Sequence, residues 1–193
     1  MAEAPIFTIK NASVTFGIKQ LFCNIEMYIN RGDKIALVGR NGCGKSSLLK
    51  LLIGQPIAHT GTLEIGSRLT VSYVPQDMSF LSGSADDFAA ESEIDITLFK
   101  TILRKLDFKR TQFTKDMSEF SMGQKKKVLL ARSLCQRANL YIWDEPLNYI
   151  DVISRLQIET LILEYKPTML FVEHDEAFVN DIATKVCRIS LNQ

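Results

Sequence analysis

Gly39-Arg40-Asn41-Gly42-Cys43-Gly44-Lys45-Ser46 is the segment from which the fold is inferred. It matches the pattern G-x-x-x-x-G-K-S, and it lies between an apolar strand predicted at 34–38 and a helix predicted at 45–53. Glycines in such a loop let backbone N–H groups approach phosphate, and the start of the following helix adds partial positive charge. The alternative is a chance glycine-rich turn, but the flanking strand and helix argue against it. The segment therefore predicts a phosphate-binding loop.

Two side chains of this loop have predicted roles in chemistry. Lys45 is expected to reach the β- and γ-phosphates of a nucleotide, and the Ser46 hydroxyl is expected to ligate Mg²⁺. The candidate nucleotide-binding residues of the loop are Gly39, Asn41, Gly42, Cys43, Gly44, Lys45, Ser46 and Ser47. The four cysteines of the chain lie far apart without zinc-site spacing, so reduced and mostly buried thiols are expected, except that Cys43 is expected to be exposed to alkylation.

The segments around the loop indicate an α/β fold. Alternating residues at 6–10 and 12–16 predict two antiparallel strands joined by tight turns, and the pattern continues through 21–29. Apolar strands are predicted at 34–38, 71–74, 140–143 and 169–172, with a helix at 152–165. We therefore expect a mainly parallel core sheet, an N-terminal antiparallel β subdomain and a small helical insertion at about 78–137, all in one domain covering 1–193.

Two acidic residues follow the strand at 140–143. Neighbouring side chains at a strand end point in different directions, so the two acids can serve different roles. Asp144 fits a carboxylate held through water to Mg²⁺, and Glu145 fits the residue that polarises an attacking water. Such a pair more often simply ends a strand at the surface, but here it follows a phosphate loop.

Another segment, Phe120-Ser121-Met122-Gly123-Gln124, resembles the LSGGQ signature of the ATP-binding-cassette (ABC) superfamily of P-loop ATPases. Phe120 and Met122 depart from the usual leucine and glycine. We call 120–124 the signature segment. The resemblance implies that Ser121, Gly123 and Gln124 complete the ATP site of an opposing domain, in a head-to-tail dimer with two composite sites.

The resemblance covers further positions and implies roles for them. Gln76 matches the glutamine that contacts Mg²⁺ and the attacking water, and His174 matches the histidine that hydrogen-bonds the γ-phosphate. Asp151 matches the aspartate that ends the D-loop, which here is 146–151, and Phe16 matches the aromatic residue that stacks on adenine. Without the resemblance, a phenylalanine or histidine such as Phe16 or His174 would more often have a packing role than a nucleotide contact. Lys125, Lys126 and Lys127 are interpreted mainly as a solvated face.

A narrower resemblance concerns 124–131 and 143–155, which are similar to ABC-F proteins of the ribosome-protection type. These are soluble cytoplasmic translation factors with two tandem cassettes, and several confer antibiotic resistance. The resemblance implies that this chain is one cassette of a longer protein that binds MgATP, with a second cassette or a second copy and the ribosome as partners. It also implies weak ATP hydrolysis by the isolated domain.

Composition limits the other functions. The formal charge is +1, so no basic excess points to DNA, and the apolar runs are too short to cross a bilayer. The chain start lacks the pattern of a signal peptide, so a cytoplasmic location is expected. Two alternatives stay open: an ATP-binding subunit of an ABC membrane transporter, and a nucleotide-regulated binding module with little hydrolysis. A small P-loop kinase would leave the signature segment unexplained.

Overall fold

The computed structural model describes residues 4–190, and at Phe16 it describes the backbone only. The strands are β1 (Phe7–Phe16), β2 (Lys19–Ile29), β3 (Lys34–Val38), β4 (His59–Ile65), β5 (Val71–Val74), β6 (Leu140–Asp144), β7 (Met169–Val172) and β8 (Lys185–Arg188). The helices are α1 (Lys45–Leu52), α2 (Ala85–Glu91), α3 (Ile96–Lys105), α4 (Met122–Cys135), α5 (Val152–Tyr165) and α6 (Glu176–Ile182). The chain divides into two compact units. Of the described residues, the first unit contains 4–71, Ala138–Asp144 and 167–190, and the second contains Ser72–Arg137 and Glu145–Lys166.

A parallel sheet forms the core of the first unit. Within this unit the strand order is β6-β7-β3-β8, and β7 pairs in parallel with both β6 and β3. All four residues of β7 are buried, as are the first four of β3. A strand that is buried on both faces needs apolar residues without alternation, and this explains why these strands were predicted from continuous apolar runs.

The register of the sheet aligns three strand ends. Val172 at the end of β7 pairs with Asp144 of β6 on one side and with Leu37 of β3 on the other. Because the strands are parallel, the segments that follow β3, β6 and β7 all leave the sheet at the same edge. These segments carry the candidate phosphate loop, the acidic pair and His174. The predicted parallel sheet is confirmed.

The antiparallel sheet of the first unit has the strand order β2-β1-β4. The prediction of two separate strands at 6–10 and 12–16 is wrong, because β1 runs unbroken through a bulge. Asn11 has a φ of 52°, and the pairing with β4 shifts between Lys10 and Ser13. Opposite the bulge, a Cβ added to Gly61 would lie 2.4 Å from the backbone oxygen of Asn11. The bulge therefore depends on a glycine in β4, a strand that was not predicted.

Helices predominate in the second unit. Phe99, Ile102 and Leu103 of α3 are buried, as is Leu106 directly after the helix, and α3 packs against α4. Ser154 of α5 is fully buried, and its hydroxyl donates to the backbone oxygen of Leu106 at 3.0 Å. The helix predicted at 152–165 is confirmed as α5. Helices α2 to α4 fall within 78–137, whereas the extent of an insertion and a single domain over 1–193 stay predictions. Within residues 4–190 no helix has both the length and the apolar character needed to cross a membrane.

We expect Gly61→Ala to destabilise the chain more than Gly32→Ala. Both glycines have positive φ values, +85° and +80°, so the conformational strain of an alanine is shared. Only Gly61 faces a backbone oxygen, whereas nothing lies within 4 Å of a Cβ on Gly32. Urea denaturation should show that Gly61→Ala lowers the free energy of unfolding by about 1–3 kcal/mol more than Gly32→Ala does. Equal losses of unfolding free energy in the two variants would show that the Asn11 backbone does not restrict position 61 to glycine.

Candidate active site

The phosphate loop leaves β3 at Val38 and enters α1 at Lys45. Gly42 and Gly44 have φ values of 78° and 95°, which favour glycine. A Cβ added to Gly44 would lie 2.8 Å from the ring of Phe22 and 2.9 Å from Leu21, so the loop passes too close to β2 for a side chain there. The sequence pattern therefore matches a steric requirement of this loop.

The start of α1 differs from the starts of the other helices. Among residues 4–190, α2 to α6 each begin after a Ser or Asp side chain that accepts an N–H of the first turn. Helix α1 begins after Gly44, which provides no such side chain. The N–H groups of a first turn need an acceptor, and a phosphate group supplies one. The residues of the loop thus fit a bound phosphate.

The side chains of the loop differ in exposure. Lys45 is buried, and its Nζ donates to the backbone oxygens of Gly39 at 2.7 Å and Arg40 at 3.1 Å. Asn41 is exposed, whereas Ser46 and Ser47 are half-buried in the first turn of α1. The expectation that Cys43 is exposed to alkylation is wrong. Its side chain is 1% exposed, and a Cβ on Gly39 would lie 2.8 Å from its Sγ.

Two acidic residues, Asp144 and Glu173, and His174 lie at the ends of β6 and β7. Asp144 is only 2% exposed, whereas His174 is exposed. Between β7 and His174 lies Glu173, a buried carboxylate that the sequence reasoning missed. Its Oε1 accepts the backbone N–H of His174 at 2.7 Å, so it fixes the turn that carries the histidine. The available signal was an acid directly after an apolar strand, the same signal that identified Asp144.

The described residues contain no group of three or more His, Cys, Asp or Glu that could hold a metal ion by itself. Mg²⁺ is often bound by one or two protein ligands together with the phosphates of a nucleotide. The hydroxyl of Ser46 and the carboxylate of Asp144 are ligand types that suit Mg²⁺ in such an arrangement.

Glu145 and Gln76 lie together in the second unit. Glu145 follows β6 directly and has a φ of 50°, so its backbone turns sharply out of the strand. Gln76 Nε2 donates to Glu145 Oε2 at 2.7 Å, although the two residues are 69 positions apart. Asn148 Nδ2 donates to the same oxygen. The structure thus brings two predicted residues into contact and adds Asn148, which was not predicted.

The signature segment begins α4 through reciprocal hydrogen bonds. Ser121 Oγ accepts the N–H of Gln124 at 3.2 Å, and Gln124 Oε1 accepts the N–H of Ser121 at 3.0 Å. Such a capping box stabilises a helix start. Phe120 is buried, and its ring lies 5.4 Å from that of Phe108. Met122 is 45% exposed. The two departures from the usual signature are therefore one packing residue and one surface residue.

Close packing joins the signature segment to the D-loop. A Cβ added to Gly123 would lie 2.5 Å from the backbone oxygen of Tyr149. Asp151 accepts the N–H of Ser154 at 2.9 Å as the N-cap of α5 and pairs with Lys127 Nζ at 2.7 Å. Burial raises the pKa of Asp151, but the hydrogen bonds from Lys127 and Ser154 and the charge of Lys127 outweigh it and hold the pKa at about 2.

The interpretation of 125–127 as a solvated face is wrong for two of the three lysines. Lys126 is 1% exposed, and its Nζ donates to the backbone oxygen of Pro75 at 3.4 Å. Lys127 is 8% exposed because it pairs with Asp151. The remaining predicted residue, Phe16, ends β1, and its side chain lies outside the described part of the structure.

We expect Gly123→Ala to destabilise the chain. A glycine-to-alanine change within a helix usually stabilises it by about 1 kcal/mol. Here the new Cβ would overlap the backbone oxygen of Tyr149, so thermal or urea unfolding should show a loss of roughly 1–3 kcal/mol instead. Met122→Ala, at the exposed neighbouring position, is the control and should change the free energy of unfolding by less than about 0.5 kcal/mol. Stabilisation by Gly123→Ala would show that the two segments do not pack closely.

We expect the stabilisation from the Asp151 carboxylate to depend on pH. Because the folded state lowers its pKa, the contribution is complete above the ordinary aspartate pKa of about 4 and is lost as the pH falls through about 2. Asp151→Asn keeps an N-cap side chain and removes the charge. At pH 7 it should lower the free energy of unfolding by about 1 kcal/mol or less, because the half-exposed carboxylate is screened by solvent. Urea denaturation from pH 7 to pH 2 should show this difference shrinking below about pH 4, and a difference that grows would contradict the assignment.

Comparison with known proteins agrees with this arrangement. The sequence profile of the family described as "ABC transporter" matches residues 22–148. The putative ATP-binding protein YdiF of Bacillus subtilis (strain 168) is 36% identical over 177 residues, which cover 88% of this chain and 27% of that protein. The ABC transporter F family member 2 of Arabidopsis thaliana is 31% identical over 190 residues, covering 95% of this chain and 28% of that protein. The ribosome protection protein VmlR of Bacillus subtilis (strain 168) is 30% identical over 187 residues, covering 95% of this chain and 34% of that protein.

A solved structure described as the ATP-binding subunit of an ABC transporter superposes with a TM-score of 0.82 at 20% identity, covering 95% of this chain and 85% of that one. At this identity the likeness concerns the fold, and it confirms the predicted P-loop ATPase fold class. The chain spans between 27% and 34% of the length of the three relatives named above. Because the family profile covers well over half of its residues, the chain belongs to the ABC transporter family of ATP-binding, ATP-hydrolysing P-loop domains.

Proposed function

We propose that this chain is the ATPase module of an ABC-F translation factor of the ribosome-protection type, which hydrolyses MgATP at an interface with a second cassette. The observation that carries the catalytic part is the 2.7 Å hydrogen bond from Gln76 to Glu145. Each residue was assigned to water activation on separate sequence evidence, and a shared role requires them to meet. Their contact supports the assignment because nothing in the local sequence of either residue requires it.

The phosphate loop would bind the nucleotide. Backbone N–H groups at the start of α1 would donate hydrogen bonds to the phosphate oxygens, and Lys45 would turn from the loop carbonyls toward the β- and γ-phosphates. Mg²⁺, when bound beside Ser46, Gln76 and Asp144, supplies charge neutralisation at the phosphates. Phe16 would stack on adenine. These roles are supported by the uncapped helix start, the buried ammonium and the close approach at Gly44.

Water attack would depend on Glu145. Its carboxylate would accept a proton or hydrogen bond from the attacking water, while Gln76 and His174 would position the water and the γ-phosphate. Glu173 supports this role of His174, because it holds the turn that carries the histidine. Phosphoryl transfer needs little covalent help from a protein, so positioning and charge stabilisation would supply most of the rate.

The signature segment would act on the nucleotide of the second cassette. Ser121 is exposed at the start of α4, and its backbone is ordered by the capping box with Gln124. A helix start with an exposed hydroxyl suits an anionic group approaching from a partner. Gly123 and Asp151 would hold this helix start in place through the D-loop. Since the chain spans about a third of its relatives' length, a longer protein could supply the second cassette.

The ribosomal role rests on the relatives. VmlR is named a ribosome protection protein, and the Arabidopsis relative is named a member of the F family. In this proposal ATP joins two cassettes into a shape that binds the ribosome, and hydrolysis releases it. The transporter alternative shares the fold and the ATP chemistry, and it differs in its partner.

We expect Glu145→Gln to preserve ATP binding and to lower turnover on the order of 100-fold or more, because it removes the group that accepts the water proton. Sedimentation with MgATP should then show an ATP-dependent dimer, since the closed state no longer breaks down. Glu164→Gln, at an exposed position of α5, is the matched control and should behave as the unchanged protein. Turnover at the original rate in Glu145→Gln would discard Glu145 as the catalytic residue.

The same variant separates the two possible partners. ATP-dependent co-sedimentation of Glu145→Gln with ribosomes, absent without nucleotide, is the outcome expected for an ABC-F factor. Recovery with membranes or with a permease, and not with ribosomes, would favour the transporter subunit.

A further inference from the structure

We infer that Asn148 is a positioning residue for Glu145: its side-chain amide holds the carboxylate in the orientation used for hydrolysis. This inference rests on the proposed function, because it takes Glu145 as the group that polarises water. Asn148 was not singled out by the sequence, and it is the second amide that donates to Glu145 Oε2.

The backbone at Glu145 explains why its side chain needs such a partner. A φ of 50° turns the residue out of β6, so the alternation of the strand no longer sets the direction of the side chain. The glutamate side chain has several rotatable bonds and is only half-buried, so packing alone does not fix it. Hydrogen bonds to the carboxylate therefore decide where the oxygens lie.

Asn148 is tied to Glu145 in two ways. The backbone N–H of Asn148 donates to the backbone oxygen of Glu145 at 3.3 Å, which closes a tight turn, and Nδ2 donates to Oε2. Both groups belong to the same four-residue turn, so the side-chain contact follows from local chain geometry. It does not depend on the position of any distant segment.

Gln76 holds the same oxygen in a different way. It lies 69 positions away, at the start of the segment that follows β5, so its contact depends on how that segment is placed. Its amide is also the one proposed to contact Mg²⁺ and water. When Gln76 contacts Mg²⁺ and water instead of Glu145, the hydrogen bond from Asn148 still orients the carboxylate. The two amides thus have separate roles, and only that of Asn148 is limited to orienting Glu145.

An amide side chain is chemically suited to orient the Glu145 carboxylate. An amide N–H is a neutral donor, so it orients a carboxylate without cancelling its negative charge. A lysine or arginine in its place would form an ion pair and weaken the acceptor. An aspartate would have nearly the same shape, would lose both N–H donors and would repel the carboxylate. Asn148→Asp therefore removes the orienting bond without changing the packing volume.

The test is a double-mutant cycle in the full chain. Asn148→Asp should lower kcat for ATP hydrolysis at least tenfold while the KM and the affinity for nucleotide change less than about twofold, because the phosphate loop is untouched. In the Glu145→Gln background the same change should have little further effect on single-turnover hydrolysis, since the carboxylate it orients is gone. Asn180→Asp, at an exposed position of α6, is the control for the added charge and should leave kcat unchanged.

A second pair of variants covers the case in which Asn148→Asp fails to fold. Asn148→Ser retains a short hydrogen-bond donor and Asn148→Ala does not, so the serine variant should turn over faster than the alanine variant. Equal rates for these two, an unchanged kcat in Asn148→Asp, or the same fold-loss in both backgrounds would each overturn the inference. Failure of the proposed function is distinguishable, because in that case Glu145→Gln itself turns over at the original rate.

Discussion

The alignment of three parallel strand ends is the constraint on which the candidate site depends. Val172 pairs with Asp144 on one side and with Leu37 on the other, so β7 sets the level at which its neighbours end. A register shift of one residue would turn each side chain to the opposite face of the sheet. Because β3 and β7 are buried on both faces, such a shift would disrupt packed apolar contacts. Within the first unit, three features lie within a residue or two of that level: the start of the phosphate loop, Asp144 and the turn carrying His174. Their placement therefore follows from the packing of the core.

A different constraint operates in the second unit, where backbone contact and a partly buried ion pair hold the signature segment. Gly123 allows α4 to approach the oxygen of Tyr149, and Lys127 reaches Asp151 one helical turn later. The ion pair is 10% exposed at the ammonium and 47% exposed at the carboxylate, so solvent still screens one partner. Such a pair adds little to the free energy of unfolding, because solvent screens it. Its hydrogen bond is directional, so it still fixes the orientation of Lys127 relative to Asp151. The D-loop and the start of α4 are thus fixed as one piece within this unit.

Sequence patterns predicted those features that depend on local structure. The strands at 34–38, 71–74 and 169–172 and α5 were predicted because each has an apolar pattern bounded by turn residues. The phosphate loop was predicted from its spacing of glycines, lysine and serine between a strand and a helix. Most of the features that were missed depend on distant partners. The bulge at Asn11 requires Gly61, and the burial of Lys126 and Lys127 requires Pro75 and Asp151. The contact of Asn148 with Glu145 is local, but it requires the positive φ at Glu145, which no residue pattern indicates. A lysine run on a helix has the same local pattern whether it meets water or an acid, so its burial is not visible in the sequence.

The surroundings of Phe120 and Met122 explain why these two residues can differ from the family signature. Position 122 is 45% exposed, so a methionine can stand where a glycine is usual. Position 123 has a backbone oxygen 2.5 Å from where a Cβ would lie, so the second glycine cannot be exchanged without moving the D-loop. Phe120 remains apolar and packs on Phe108, which keeps the function of an apolar anchor before the cap. What the helix start requires is therefore an anchor, a capping hydroxyl and one close approach, and the sequence retains all three.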